Sequence, residues 1–166
     1  MATLALASIC ASAGVRATSP QSSRTIPVRN GTVVVTREDD VDHVVTKSAA
    51  GDIVAESWCV VSDGSYDEFA RLFSRLVAAV GSHDVNTVAS LMQYPLTVNA
   101  ARARTVKTEA EFKTGFDRIF TPRVVQALSE TQVADVFCKN GTAMIAHGTV
   151  WASKEKNRVG IFVVNQ

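Results

Sequence analysis

The chain has 166 residues, 46% hydrophobic and 20% charged, which is long enough to bury one substantial core. Seventeen basic residues stand against sixteen acidic ones, with no Lys/Arg-rich run and no acidic block. The concentrated positive field that nucleic acid or an anionic membrane surface demands is therefore missing, and neither is an expected partner.

The first residues differ from the rest. Ala2 to Ala13, "ATLALASICASA", is small, apolar and uncharged. Ala11-Ser12-Ala13 fits the small-residue pattern of a signal-peptidase site, and Val15-Arg16-Ala17 offers a second one. Residues 1–17 are thus read as a signal or disordered leader, although no basic residue precedes the apolar run. With that leader, the expected location is the periplasm or the exterior of the cell; without it, the cytoplasm. The run is too short to span a bilayer, and no membrane span is expected. Cys10 follows the bulky Ile9, which does not fit a lipid-anchored cysteine. Removing the leader leaves Cys59 and Cys138, an even pair that an oxidising compartment would bond. Such a bridge would close a long loop and contribute ~4 kcal/mol. Two buried free thiols are the alternative.

Residues 18–30, rich in Ser, Pro, Arg and Gln, read as a linker. Residues 31–62 form a β-rich extension, with strands expected at "TVVVTRE", "HVVTK" and "DIVAESWCVV". A main domain over 63–166 follows. Its strongest helix begins at Ser65 and Glu68, spaced as a capping box, and carries Phe69, Leu72, Phe73, Leu76, Val77 and Val80 on one face. Gly81 is expected to supply the left-handed stop and Asp84 the cap of a second, short helix. Pro95 then ends helical structure and releases the extended "LTVN".

A hairpin is expected around "NAARART". Thr108 and Glu111 form a second capping box ahead of a helix bearing Phe112, Phe116, Ile119 and Phe120. Thr121-Pro122 opens another short helix through Leu128. The remainder reads as strands: "QVADVFC", a hairpin turn at Asn140-Gly141, "TAMIAHGTVWASK", and "RVGIFVVN". Continuous alternation would put Met144 and Val150 on one face and Ile145, His147 and Trp151 on the other. A sheet apolar on both faces needs cover on both: the helices can cover one, and a partner subunit, as in a homodimer through the sheet, or the N-terminal strands can cover the other.

The order of helix, short helix, strand, helix and antiparallel strands resembles the nuclear transport factor two-like superfamily. Its bearers are "LVAAVGSHDVNTVASLMQYPLTVN" and "TVKTEAEFKTGFDRIF", and the similarity runs from Tyr66 to Gln166. The resemblance implies an α+β fold, a curved antiparallel sheet wrapped around three to four helices as a cone. It also implies a pocket that is catalytic, ligand-binding or empty. Ketosteroid isomerase is the best understood enzyme of this kind. Aligned here, its tyrosine donor falls on Leu76 and its base on Ala100, beside Asn99, while the late strand offers only Asn165 for the acidic donor. Leucine donates no hydrogen bond and alanine takes no proton, so that chemistry is excluded.

Candidate pocket residues are Tyr94, Asn99, Asp117, His147 and Trp151. His43, His83 and His147 lack metal-ligand spacing, and no nucleotide or serine-hydrolase motif occurs, so no metal or cofactor is expected. The expected function is a non-catalytic exported domain that binds a small apolar ligand or a protein partner. One alternative is a dehydratase or hydrolase with an acid–base site pairing His147 with Asp117 or Tyr94. Another is an inhibitor or immunity-type binding module.

Overall fold

The computed structural model describes residues 22–38, 41–60, 66–132, 135–139 and 141–166, with the side chains of 38, 57–60 and 139 left aside. The leader at 1–17 and Ser65 lie outside the described residues. The expected linker is not one where it is described. Ser22–Val28 forms strand β1, antiparallel to β2 (Gly31–Glu38), with Val28 opposite Gly31. Ile26 and Val28 pack against the core, while Pro27 sits between them on an edge strand, where a missing amide is tolerated. The Arg29-Asn30 turn needs Gly31 after it, because a Cβ there would meet the Lys47 carbonyl oxygen at 1.9 Å. β3 (Val41–Ser48) and β4 (Ile53–Val60) complete an antiparallel sheet ordered β1-β2-β3-β4. Its inward row is Val33, Val35, Asp42, Val44 and Thr46.

Helix α1 spans Tyr66–Gly81 and buries Phe69, Leu72, Phe73, Leu76 and Val80, as the periodicity predicts. Its first amide is satisfied from afar: Tyr66 N–H donates to Asp42 Oδ2 at 2.7 Å, in the buried interior. Its stop differs from expectation. Gly81 remains helical, and His83 takes the left-handed conformation at φ 54°. His83 N–H reaches the Val80 carbonyl and Asp84 N–H the Ala79 carbonyl, the two bonds of a Schellman motif with histidine in the usual glycine place. Asp84 then caps α2 (Val85–Ser90), accepting from the Thr87 amide at 3.0 Å and its hydroxyl at 2.6 Å. These bonds favour the carboxylate and hold the Asp84 pKa below its ordinary value.

β5 (Met92–Asn99) starts before Pro95, not after it, because the chain already pairs with β10 (Arg158–Asn165) at Met92. Pro95 falls where that ladder is interrupted: Ile161 faces Met92 and Val163 faces Thr97, with a bulge between them. The register of β10 with β9 (Val150–Glu155) shifts at the same point, but there the one extra residue, Phe162, is on β10, whereas against β5 the extra residues are on β5. The expected hairpin is present, with Leu96 opposite Val106 in β6 (Arg104–Val106).

The phenylalanine helix is broken at Gly115 into α3 (Glu109–Thr114) and α4 (Phe116–Ile119). Thr108 Oγ1 accepts from Glu111 N–H at 3.2 Å, while Glu111 reaches back to Lys107 N–H rather than to the cap residue. After α5 (Pro122–Glu130), the described residues return to strand structure at β7 (Phe137–Lys139). Asp135 Oδ2 is used locally, accepting from Gln132 N–H.

β8 (Thr142–Ile145) and β9 are separated by a turn, so the single strand expected over 142–154 is a hairpin. Ile145 faces Val150 and Met144 faces Trp151, which reverses the expected pairing of faces. The second sheet runs β6-β5-β10-β9-β8-β7, antiparallel except for β5 with β10. The fold is thus mixed α+β with a mostly antiparallel sheet. Among the described residues no helix is long and apolar enough to cross a membrane.

Cys138 is buried and disulfide-bonded. The expected partner, Cys59, lies on β4, the strand that packs against β7, with its side chain outside the described residues. Peptide mapping without reduction is expected to recover Cys59 and Cys138 in one cross-linked pair, and Cys138→Ser to lose ~2–5 kcal/mol. Alkylation of both thiols before reduction would contradict this.

Candidate functional site

The sequence candidates fall into separate regions. His147 is not on a strand face but exposed in the turn between β8 and β9, where Ala146, His147 and Gly148 all have positive φ (51°, 52° and 89°). Ile145 opposite Val150 and Thr149 N–H to the Ala146 carbonyl at 3.0 Å close this turn. Left-handed backbone at two non-glycine residues costs ~1–2 kcal/mol each, so the surrounding contacts must impose it.

Those contacts include two other candidates. Trp151 Nε1–H donates to the Gly148 carbonyl at 3.1 Å, and Asn165 Nδ2 donates to the same oxygen. Asn99 Nδ2 donates in turn to Asn165 Oδ1 at 2.8 Å. Asn99 and Trp151 therefore meet at the His147 turn through Asn165, which sequence reasoning placed on the late strand without a role. Gln166 extends the network, its backbone N–H bonding Asn99 O at 2.8 Å and its side chain Ile119 O at 3.0 Å.

Two clefts flank the turn and share His147. One, of 170 Å³, is lined by Arg123, Gly148, Thr149, Asn165 and Gln166. The other, of 240 Å³, lies between the two sheets, with Val44, Thr46 and Glu56 facing Val136, Phe137 and Met144. The His147 imidazole makes no hydrogen bond among the described residues. The amides of Asn99 and Asn165 are engaged with each other and cannot move a proton. This end of the molecule can bind through Arg123 and His147, but among the described residues no acid or base is hydrogen-bonded to His147; Glu56 in the same cleft instead lies 2.5 Å from His43 Nε2.

The remaining candidates lie elsewhere. Tyr94 lines a cleft of 540 Å³ beside the β9–β10 turn, and its hydroxyl donates to Ala89 O at 3.2 Å. Burial and the Glu109 carboxylate push its pKa up to about 12, so it stays a neutral phenol. Asp117 is exposed on α4, 3.8 Å from His83 Nε2. The expected pairing of His147 with Asp117 or Tyr94 is not assembled, because His147 and Tyr94 line different clefts and Asp117 faces His83. Among the described residues no cluster of His, Cys, Asp and Glu could hold a metal ion.

Aromatic rings of α3, α4 and β5 pack against one another. Phe112 is fully buried and packs edge-on against Tyr94, Phe116 and Phe120 at centroid distances of 6.3, 6.0 and 6.0 Å. Phe116 stacks on Phe120 at 5.3 Å. Comparison of the chain with protein-family models, curated proteins and solved structures gives no match.

Proposed function

We propose that the chain is a non-catalytic domain of the nuclear transport factor two-like type. It works by binding a protein partner at its surface, in the first place a second copy of itself. The carrying observation is the packing of aromatic and aliphatic side chains: Phe112, Ile119, Leu96 and Met92 are fully buried, and Phe112 lies against the rings of Tyr94, Phe116 and Phe120. This moves the reading away from a small apolar ligand and toward a surface function.

An incompletely covered apolar row on the second sheet supports the dimer. Successive cross-strand partners Phe137, Met144, Trp151 and Val163 form a row across β7, β8, β9 and β10, none of them buried and Phe137 43% exposed. Phe137 and Met144 at one end of this row also line the cleft toward the first sheet, and a partly exposed apolar row of this kind is a candidate interaction surface. Export belongs to the same proposal, supported by the composition of 1–17 and by the bonded Cys138, since disulfides persist in oxidising compartments. Native mass spectrometry of protein purified from its source is expected to show a homodimer without a retained small molecule, and Trp151→Glu a monomer. A monomeric wild-type protein carrying an apolar molecule would overturn the reading.

A further inference from the structure

The solvent face of α1 presents Arg71 and Arg75 one turn apart, both exposed. Like charges at this spacing repel and weaken a helix. The acids that would ordinarily answer Arg71, one turn before it, are taken. Asp67 Oδ2 lies 2.7 Å from Arg24 Nε, and Glu68 holds Lys154 Nζ at 3.1 Å. Arg75 meets only Ala78 and Ala79 in the following turn. Neither arginine has an ion-pair partner among the described residues.

Opposite them, the turn between β9 and β10 brings Asn157 and Arg158 to the same cleft, of 310 Å³, with Leu72 and Leu91 as apolar floor. Arg158 spends one Nη2 contact on the Met92 carbonyl and is otherwise exposed. Three arginines thus line one small space whose single carboxylate, Glu68, already serves Lys154.

We propose that this cleft binds the phosphate group of a small phosphate ester. Each guanidinium offers a planar fork of donors that matches two phosphate oxygens, and a phosphate dianion carries enough charge and acceptors for more than one fork. A lone carboxylate would answer only one of the three arginines. Glu68 within the cleft and Glu155 on the adjoining one disfavour an extended polyanion such as nucleic acid. The site lies on α1 and the β9–β10 turn, apart from the apolar row on the second sheet, so it stands or falls independently of the dimer.

The test is an NMR titration of the ¹⁵N-labelled protein with inorganic phosphate, then glycerol phosphate, against sodium chloride at matched ionic strength. Saturable shifts are expected at the backbone amides of Arg71, Arg75, Leu91, Asn157 and Arg158. The double variant Arg71→Ala/Arg75→Ala should bind at least about tenfold more weakly. Arg71→Lys/Arg75→Lys, which keeps the charges but loses the forks, should fall between the two. Shifts that never saturate, that chloride reproduces, or that the double variant leaves intact would overturn the proposal. If the alanine pair disturbs the helix, Arg158→Gln provides the same comparison from the opposite wall.

Discussion

Replacing Asp42 by alanine is expected to remove ~3–5 kcal/mol of stability, the range for breaking one side of a buried charge cluster. Asp42 is 1% exposed, and its carboxylate serves several groups at once. Oδ2 accepts the Tyr66 amide that opens α1, Oδ1 lies 3.4 Å from Arg37 Nη1, and Arg24 Nη2 approaches Oδ2 at 3.9 Å. Alanine would leave a helix-terminal amide without its acceptor and two half-buried guanidinium groups without this carboxylate. Arg24 would keep its contact with Asp67. The milder variant Asp42→Asn retains an acceptor for Tyr66 while losing the charge, so its loss should be smaller. Urea unfolding followed by both fluorescence and circular dichroism measures each variant. Because Asp42 joins the first sheet to α1, Asp42→Ala should also lower the slope of the transition as the sheet begins to separate. A loss below ~1 kcal/mol would show that the cluster does not hold the sheet in place.

Phe112→Ala is expected to cost a similar ~3–5 kcal/mol, from lost burial plus the cavity left behind. Its functional consequence is more informative. The vacated space is bounded by Tyr94, Phe116 and Phe120, all apolar on the side that faced the lost ring. A dry cavity of that kind takes up a benzene-sized molecule. The variant should therefore bind benzene, read as a rise in melting temperature, while the wild-type protein should not respond. Equal binding by the wild type would mean that its interior is already open, and the surface-binding reading would fail.

These two residues mark how far the sequence can be read. Phe112 is legible because its neighbours on α3 and α4 recur at helical spacing, although the break at Gly115 is not. Asp84 is legible because a cap acts on its own next residues. Asp42 escapes such reading because it caps a helix twenty-four positions away, a distance no local pattern spans. A signal is present nonetheless: Asp42 alternates in phase with Val44 and Thr46, and a carboxylate on an inward row must find donors. The His147 turn is hidden for another reason. Its Ala-His pair lacks the glycine or asparagine that announces left-handed backbone, so a strand is the natural reading. The candidate site is half legible, with Asn99, His147 and Trp151 gathered by Asn165, and Tyr94 and Asp117 elsewhere.

The bulge in β10 carries a consequence for how inward and outward positions are counted. Ile161 and Val164 are both fully buried although they stand three apart, an odd spacing that a regular strand would send to opposite faces. Phe162 is the extra residue against β9 that resets the count, and the ladder to β5 is interrupted at the same point, where β5 carries the surplus residues, Pro95 among them. The strand thus changes phase midway, and the proline without an amide occupies the stretch where no partner asks for one. Removing Phe162 would leave Ile161 and Val164 two apart and both inward, whereas pairing Phe162 into a regular ladder would turn Val164 out toward water. In β10 the fold is kept by an odd number.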